Sequence, residues 1–312
     1  MRAVQVTEFG GPEVLRLVDV EAPSPIPTEV LVEVHAAGVN PVDWKTREGR
    51  GAAGACGAPP FILGWDVAGV VAEVGRGVTL FEPGDRVFGM PWFPRAAGAY
   101  AEFASAPSRQ FARMPDGLSF EDAAALPLAA LTAWQALVDT AKVGAGDTVL
   151  VNGASGGVGH LAVQIAKARG AKVIATARAV NHDFLHELGA DVCVDREQVH
   201  VQDAATGVDL VLDFVGREAS TAALATLREG GLLISVPGAA EDTPAEADKR
   251  GVRVTGILVE PDGHGMSEIA ALVESGRLKV NVDQALPLYD AAKAHELLER
   301  GGVRGKVVLV IK

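Results

Sequence analysis

The first part of the chain alternates apolar and polar positions over short segments that end in turn residues. Gly- and Pro-rich turns separate β-branched runs at residues 1–9, 14–20, 29–39, 66–75 and 84–90. Regular short strands of this kind are typical of a small β-barrel or sandwich. Residues 47–60 are rich in Gly, Ala and Pro and show no apolar period, so we expect a surface loop or lid there.

The pattern changes near Phe120, where a long segment of helical composition begins. Apolar strands then alternate with helices: we expect strands at 148–152, 172–177, 191–194, 208–216, 231–236 and 252–258, and helices at 157–170, 182–189 and 218–229. This alternation predicts a parallel sheet with helices on both faces. Two helices, at 265–276 and 286–302, and a strand at 305–311 close the chain. We predict an α/β fold in which a doubly wound domain of residues 123–265 is inserted between residues 1–122 and 266–312.

Composition restricts the possible partners. Hydrophobic residues make up 48% of the chain and charged residues 22%, which is typical of a globular protein, and no apolar run is long enough for a membrane span. The formal net charge of -12 disfavours binding to nucleic acid or to an anionic membrane surface. Only Cys56 and Cys193 are present and no secretory signal is visible, so we expect a cytoplasmic protein.

A glycine-rich turn joins the strand at 148–152 to the helix that follows it. Such a turn binds the pyrophosphate of a dinucleotide on the free N–H groups at the helix N-terminus. Gly156 would let the backbone approach the phosphates, Gly159 would let the helix pack closely, and Ala154 replaces the usual first glycine. The alternative is a plain turn with glycines for packing. We predict a dinucleotide site formed by Ala154, Ser155, Gly156, Gly157, Val158 and Gly159.

The end of the second strand indicates which dinucleotide binds. NAD sites carry an Asp or Glu there for the ribose 2′-hydroxyl. Here Ala177 occupies the position and Arg178 follows it. An Arg without a competing carboxylate suits a 2′-phosphate, so we predict NADPH as the cofactor. A solvated Arg in a loop is the alternative interpretation.

Motifs along the whole chain carry a family resemblance. They are AAGVNPVDWKTREG, PFILGWDVAGVVAEVG, FEPGDRVFG, LPLAALTAWQAL, VGAGDTVLVNGASGGVGHLAVQIAKARGA and GKVVLVI, in this order. The chain resembles the zinc-free quinone oxidoreductase branch of the medium-chain dehydrogenase/reductase superfamily. The resemblance implies a GroES-like β-barrel catalytic domain, a Rossmann domain with the cofactor in the cleft between them, and a homodimer.

The positions of the family's catalytic zinc ligands have no matching residues here. In zinc-bearing alcohol dehydrogenases of the superfamily these ligands are two Cys and a His, and they align with Asn40, Trp65 and Leu128, with Asp66 in place of the neighbouring acid. Trp and Leu offer no ligand atom and Asn is a poor ligand for zinc, so we expect no metal. Without a Lewis acid, hydride addition to a quinone or an activated C=C bond is favoured, because a few hydrogen-bond donors can stabilise the delocalised anion.

The resemblance also implies roles for single residues. Asn40 would orient substrate or cofactor, although a turn-capping Asn is an open alternative, and we name Lys45, Trp65 and Asp66 as further candidate catalytic residues. For Lys45 a solvated side chain is equally open, for Trp65 an interdomain core position, and for Asp66 a structural hydrogen-bonding role. The resemblance further implies cofactor contacts from Thr132, Val215, Gly216, Ser235, Val236, Pro237 and Gly238, and a contact of Lys306 with the cofactor phosphates. A helix-interior Thr is the open alternative for Thr132, and a surface lysine on a strand is the open alternative for Lys306.

Together these features predict a reductase that uses NADPH to reduce quinones or the C=C bond of α,β-unsaturated carbonyls. Two alternatives remain open. One is an enoyl-thioester reductase, against which the acidic chain argues weakly because a carrier protein usually docks on a basic patch. The other is a protein that binds NADPH in a structural or sensing role without catalysis.

Overall fold

The computed structural model describes residues 1–312, which divide into two compact units. The first unit comprises Met1–Leu131, Glu260–Ser275 and Val280–Lys312, and the second comprises Thr132–Val259 and Gly276–Lys279. The chain thus leaves the first unit to form most of the second, returns, and contributes once more to the second unit at Gly276–Lys279. The mixed α/β fold class predicted from the sequence is confirmed.

Sixteen strands and ten α-helices form the two units. The strands are β1 (Arg2–Val6), β2 (Leu15–Asp19), β3 (Glu29–Val39), β4 (Phe61–Ile62), β5 (Asp66–Val74), β6 (Arg86–Gly89), β7 (Phe103–Pro107), β8 (Phe111–Arg113), β9 (Thr148–Asn152), β10 (Lys172–Ala177), β11 (Val192–Asp195), β12 (Val208–Asp213), β13 (Leu227–Ser235), β14 (Arg253–Gly256), β15 (Val282–Pro287) and β16 (Lys306–Val310). The helices are α1 (Pro41–Arg47), α2 (Ala53–Cys56), α3 (Phe120–Ala124), α4 (Pro127–Trp134), α5 (Gly159–Ala168), α6 (His182–Glu187), α7 (Glu218–Ala223), α8 (Thr243–Arg250), α9 (Gly263–Glu274) and α10 (Ala291–Arg300). None of the helices combines the length and the apolar character that a membrane crossing requires.

The first unit is built around the long strand β3. On one edge β3 pairs antiparallel with β5, and on the other it pairs with β7 over its first half and with β16 over its second half. The sheet order is β15-β16-β3-β5-β6-β8, and a separate three-stranded sheet has the order β2-β1-β4. All but two of the eleven residues of β3 are buried, which explains why its sequence is nearly continuously apolar. The end of β3 leads directly into α1, which carries the candidate residues near Asn40.

The second unit contains a six-stranded parallel sheet with the order β11-β10-β9-β12-β13-β14. This is the strand order of a doubly wound dinucleotide-binding fold, in which the direction of winding reverses between β9 and β12. Its core packs Leu150, Val211 and Leu233 from the central strands against Ala223 and Ala247 from the covering helices. The carboxyl ends of the central strands meet at one edge of the sheet, where such folds bind their ligands.

Several segments differ from the expectation. The helix expected at 286–302 begins only at Ala291, after the strand β15. The expected surface loop at 47–60 contains the short helix α2, and Arg47 at its start is completely buried, because its guanidinium has carboxylate partners. The helical segment that begins at Phe120 is interrupted, since Pro127 has no N–H to continue α3 and begins α4 instead. The expected helix at 218–229 ends as an α-helix at Ala223, and β13 already begins at Leu227.

Candidate functional site

The glycine turn of the second unit connects β9 to α5. A Cβ atom on Gly159 would lie 2.4 Å from the carbonyl oxygen of Gly153 and 2.8 Å from the Cα of Ala154, so only glycine fits where the helix meets the turn. On Gly156 a Cβ atom would meet only the Gly153 oxygen, at an ordinary contact distance of 3.4 Å. The space above Gly156 is therefore open, as a ligand phosphate requires. This geometry is compatible with the packing role predicted for Gly159 and with the approach of a pyrophosphate predicted at Gly156.

Backbone N–H groups at the start of α5 provide the matching donors. The N–H groups of Gly157 and Val158 have no acceptor within the chain. Ala154 is fully buried, and its N–H donates to the carbonyl of Thr176 at 3.1 Å, which ties the turn to the end of β10. The turn thus combines a fixed base with free donors at a helix N-terminus, and these features fit a dinucleotide phosphate.

A buried polar network lies beneath this turn, and no motif in the sequence pointed to its members. Asn152 at the end of β9 donates through Nδ2 to Asp213 at the end of β12 (2.8 Å), and its Oδ1 accepts from the Thr176 hydroxyl (2.6 Å). The Asp213 carboxylate also accepts the backbone N–H groups of Val215 and Gly216, each at 3.0 Å. The network therefore holds in place both the glycine turn and the loop that follows β12.

The loops that follow β12 and β13 lie next to each other. Gly216 has a φ of 85°, and a Cβ atom there would lie 2.9 Å from the carbonyl oxygen of Gly238. The N–H of Arg217 donates to that same oxygen at 3.0 Å. The structure thus brings together two of the predicted cofactor segments. Within them Gly216 and Ser235 are buried, Val236 is half-buried, and Val215, Pro237 and Gly238 are exposed.

The residues predicted to select the dinucleotide lie at the end of β10. Ala177 is buried and offers no acceptor, and the half-buried Arg178 forms no ion pair within the chain. Ser155 in the glycine turn accepts a hydrogen bond from Asn181 Nδ2 at 3.2 Å, so this hydroxyl lies close to the segment that follows Arg178. Thr132, predicted to contact the cofactor from another segment, is buried on α4.

In the first unit, three candidate residues form one buried cluster, although they come from the end of β3, from β5 and from β16. Lys306 Nζ donates to Asn40 Oδ1 through a short hydrogen bond, to the carbonyl of Val39 at 3.2 Å and to Asp66 Oδ2 at 3.4 Å. Asn40 Nδ2 donates to Asp66 Oδ2 at 2.8 Å, and Asp66 Oδ1 accepts the backbone N–H of Leu128 at 2.7 Å. Because an ammonium only donates and a carboxylate only accepts, the orientation of the Asn40 amide is fixed.

The partners of Lys306 bear on the cofactor contact that the resemblance implies for this residue. Its side chain is 3% exposed, whereas the sequence suggested a strand lysine that reaches the cofactor phosphates. Its three N–H groups already have acceptors within the first unit. A phosphate contact would require the amine to leave these partners, so we interpret Lys306 as the residue that holds Asn40 and Asp66 in place.

Asp43 lies beside this cluster on the first turn of α1. Its Oδ2 accepts the backbone N–H of Asn40 at 2.6 Å, as the acid of a helix capping box does. Complete burial, opposed by this bond and by one from Tyr100, raises the pKa of Asp43 to about 7. The site therefore contains a carboxyl group that changes its protonation state near neutral pH.

The two remaining candidates, Trp65 and Lys45, differ in burial. Trp65 is 1% exposed, stands edge-on to Phe93 with 5.3 Å between ring centroids, and donates its Nε1–H to the carbonyl of Arg95 at 2.6 Å. It therefore belongs to the core of the first unit and does not present an open apolar face. Lys45 is half-buried, with its ammonium 5.6 Å from the centre of the Trp44 ring.

No group of three or more His, Cys, Asp or Glu side chains has an arrangement that could hold a metal ion. At the three positions that align with zinc ligands, the indole of Trp65 donates a hydrogen bond, the Asn40 amide is held by Lys306 and Asp66, and Leu128 contributes only its backbone N–H. This donor set does not fit zinc, which takes nitrogen and sulfur ligands in a tetrahedral arrangement.

Family models match both parts of the chain. Residues 26–116 match the alcohol dehydrogenase GroES-like domain, and residues 188–309 match a family described as zinc-binding dehydrogenase. The chain is 36% identical to the quinone oxidoreductase of Mus musculus over 330 residues, which covers 100% of this chain and 98% of that protein. The chain belongs to the quinone oxidoreductase family.

Further members of the medium-chain dehydrogenase/reductase superfamily extend the comparison. The 2-methylene-furan-3-one reductase of Solanum lycopersicum is 35% identical over 320 residues, covering 99% of this chain and 79% of that protein. The solved quinone oxidoreductase of Coxiella burnetii has a TM-score of 0.93 and 38% identity, with 100% and 99% of the two chains covered. The Escherichia coli quinone oxidoreductase complexed with NADPH has a TM-score of 0.90 and 31% identity over all of both chains. These matches extend over both units of the chain and support the predicted fold of each.

Proposed function

We propose that this protein is a zinc-independent reductase that uses NADPH to reduce quinones and the C=C bond of α,β-unsaturated carbonyls. The observation that carries the proposal is the donor set around Asn40. Hydrogen-bond donors, and no group of metal ligands, occupy the positions at which zinc-bearing relatives hold their metal. The comparisons agree, since relatives along the whole chain are named as quinone oxidoreductases and as an enone-type reductase.

The chemistry follows from what such donors can stabilise. Bound NADPH supplies a hydride from its nicotinamide ring. The chain must then stabilise a negative charge that is spread over a conjugated acceptor, which hydrogen-bond donors can do. Asn40 has a second Nδ2–H beyond the one given to Asp66, and the Lys306 ammonium brings positive charge to the same cluster. We infer that Asn40 holds the acceptor or the cofactor amide, that Lys306 and Asp66 keep the Asn40 amide in this orientation, and that water supplies the proton.

The second unit supplies the residues for the cofactor. Gly156 leaves room for the pyrophosphate, and the N–H groups of Gly157 and Val158 would bind it. Arg178 would bind the 2′-phosphate, and the absence of an acid at Ala177 removes the partner that a free 2′-hydroxyl would need. NADPH is therefore the cofactor, as in the solved complex of the Escherichia coli relative.

The test is the consumption of NADPH, followed by its absorbance, with a benzoquinone, a short enal and a short enone, and with NADH in parallel. We expect turnover with at least one acceptor and a higher kcat/KM with NADPH than with NADH. No turnover with any of these acceptors would overturn the proposal. Turnover of a crotonyl thioester in preference to all of them would instead support an enoyl-thioester reductase.

We also propose that the protein acts as a homodimer in the cytoplasm. The support is the family resemblance for the dimer and the free state of Cys56 and Cys193 for the reducing compartment. Light scattering of the purified protein would measure the mass directly. A mass equal to that of one 32.3 kDa chain at micromolar concentration would contradict the dimer.

A further inference from the structure

A buried chain of hydrogen-bonding side chains leads to Asp43, and the proposed reaction does not use it. Tyr100, His295 and Arg47 are all 0% exposed. The Tyr100 hydroxyl lies 2.9 Å from Asp43 Oδ2 and 3.4 Å from His295 Nε2, and His295 Nδ1 lies 3.4 Å from Arg47 Nη1. The four residues come from α1, from α10 and from the segment before β7, which are far apart in sequence.

The chemistry of these groups gives the chain one direction. A guanidinium only donates, so Arg47 donates to His295 Nδ1. Burial and the charge of Arg47 lower the pKa of His295 to about 3, so the ring is neutral and its single N–H is on Nε2. That N–H faces the Tyr100 oxygen, and the hydroxyl hydrogen of Tyr100 is left for the Asp43 carboxylate. Every link therefore donates toward Asp43.

Asp43 connects this chain of hydrogen bonds to Asn40. Its Oδ2 accepts both the Tyr100 hydroxyl and the backbone N–H of Asn40, whereas its buried Oδ1 has no partner. With one oxygen holding both bonds, the loss of the hydroxyl donor would leave the Asn40 N–H as the only group that fixes the carboxyl.

We propose that Tyr100 and His295 are positioning residues of the reductase, which hold the Asp43 carboxylate against the backbone N–H of Asn40 and so fix the backbone that carries the Asn40 side chain. The proposal rests on the proposed role of Asn40 in the site. Neither residue needs to touch substrate or cofactor, and Arg47 cannot pass a proton onward, so the chain orients Asp43 and does not deliver protons from the surface.

The surroundings of Asp43 predict how the effect depends on pH. The groups that face it are the Tyr100 hydroxyl, Asp66 from β5, Lys306 from β16 and the half-buried Cys56 thiol from α2. Burial raises the pKa of Asp43 to about 7, and the Tyr100 hydrogen bond opposes this rise because it favours the ionised form. Removal of the hydroxyl must therefore raise the pKa of Asp43 further.

The experiment compares Tyr100→Phe with Tyr289→Phe. These are the only two tyrosines, and Tyr289 is 70% exposed, so its variant is a matched control. For Tyr100→Phe we expect kcat to fall roughly tenfold, the effect of losing one hydrogen bond to a charged group, while the KM for NADPH stays within about twofold. The pH at which kcat rises should move upward. Identical pH profiles for Tyr100→Phe and wild type would overturn the proposal.

A second measurement does not depend on activity. Infrared titration of the cofactor-free protein, with Asp43→Asn to assign the carboxyl band, should show the Asp43 midpoint at higher pH in Tyr100→Phe. Fluorotyrosine at position 100 in the Tyr289→Phe background is a stronger donor of the same shape, and it should move the midpoint downward. An unchanged midpoint in the fluorotyrosine protein would overturn the proposal even if Tyr100→Phe failed to fold. A shifted midpoint without any turnover would instead refute the proposed function alone.

Discussion

Lys306 offers the sharpest test of how the first unit forms its site. We predict that Lys306→Met destabilises the protein and leaves the affinity for NADPH nearly unchanged. The side chain is 3% exposed and its Nζ lies 3.4 Å from Asp66 Oδ2. At an effective dielectric constant of about 20 this separation corresponds to an attraction of about 5 kcal/mol. Removal of one partner of a buried pair typically costs about 3–5 kcal/mol, because the remaining charge is left without compensation.

The remaining contacts of Asp66 refine this magnitude. Asp66 keeps the backbone N–H of Leu128 and the amide of Asn40 as donors when Lys306 is lost. We therefore expect a loss near the lower end of the range, about 3 kcal/mol in the free energy of unfolding. In the double variant Asp66→Asn/Lys306→Met neither position of the pair carries a charge, so part of this loss should be recovered, and the two substitutions should be coupled.

Denaturant unfolding followed by tryptophan fluorescence measures this loss. Trp44, Trp65 and Trp92 belong to the first unit and one further Trp to the second, so the signal reports mainly on the unit that holds Lys306. The matched control is Lys312→Met at the end of the chain, where the 59% exposed lysine pairs with Glu33 at 2.6 Å and should contribute less than about 1 kcal/mol.

Two results would refute this reasoning. One is a loss of stability in Lys306→Met no larger than that in Lys312→Met. The other is a large, salt-dependent loss of NADPH affinity with unchanged stability, which would return Lys306 to the role of phosphate ligand that the family resemblance suggested.

Three further predictions concern the cofactor turn and Asp43. Gly156→Ala should fold with unchanged stability but bind NADPH at least tenfold more weakly. Gly159→Ala should lose about 1–3 kcal/mol of stability, because its Cβ meets backbone atoms at 2.4 and 2.8 Å. Thermal unfolding and cofactor titration would measure both effects, with Gly54→Ala as the control. Arg178→Ala should lower kcat/KM for NADPH by roughly 10- to 100-fold and leave that for NADH unchanged, and an equal loss with both cofactors would contradict the 2′-phosphate role. Folding raises the pKa of Asp43 from 3.8 to about 7, so the stability that its protonated carboxyl contributes is fully present below about pH 4 and is lost as pH rises through 7. Relative to wild type, the free energy of unfolding of Asp43→Asn should therefore increase by up to about 4 kcal/mol between pH 4 and 8, as measured by denaturant titrations. A difference that does not depend on pH would contradict the assigned pKa.

The sequence could predict those parts of the site that depend on short-range geometry. The turn from Ala154 to Gly159 is defined by spacing within a few residues, and the alternation of strands and helices leaves few topologies for the sheet around it. The fold class and the dinucleotide turn therefore follow from local patterns, and the strand order agrees with them.

The partners of buried polar side chains were not predictable in the same way. Lys306 and Asn40 are 266 residues apart in sequence, and Tyr100 and His295 are 195 apart. No periodicity links such positions, since their contact depends on where β16 and α10 pack. For the same reason the sequence predicted Arg47 at the start of a surface loop, although one of its carboxylate partners, Glu299 at 2.8 Å, is supplied by the last helix.

Each unit has a buried carboxylate close to the end of a strand, where the chain enters the candidate site. In the second unit Asp213 holds the backbone of the loop after β12, and in the first Asp43 holds the backbone of Asn40 after β3. Burial of a carboxylate is costly, and apolar residues of similar size would often be more stable. Backbone N–H groups in irregular loops nevertheless need acceptors when they are buried, and a carboxylate can serve two or three of them at once. An apolar substitution at Asp43 or Asp213 should therefore loosen the loop whose N–H groups it leaves unpaired, so that the loss of function exceeds any loss of stability.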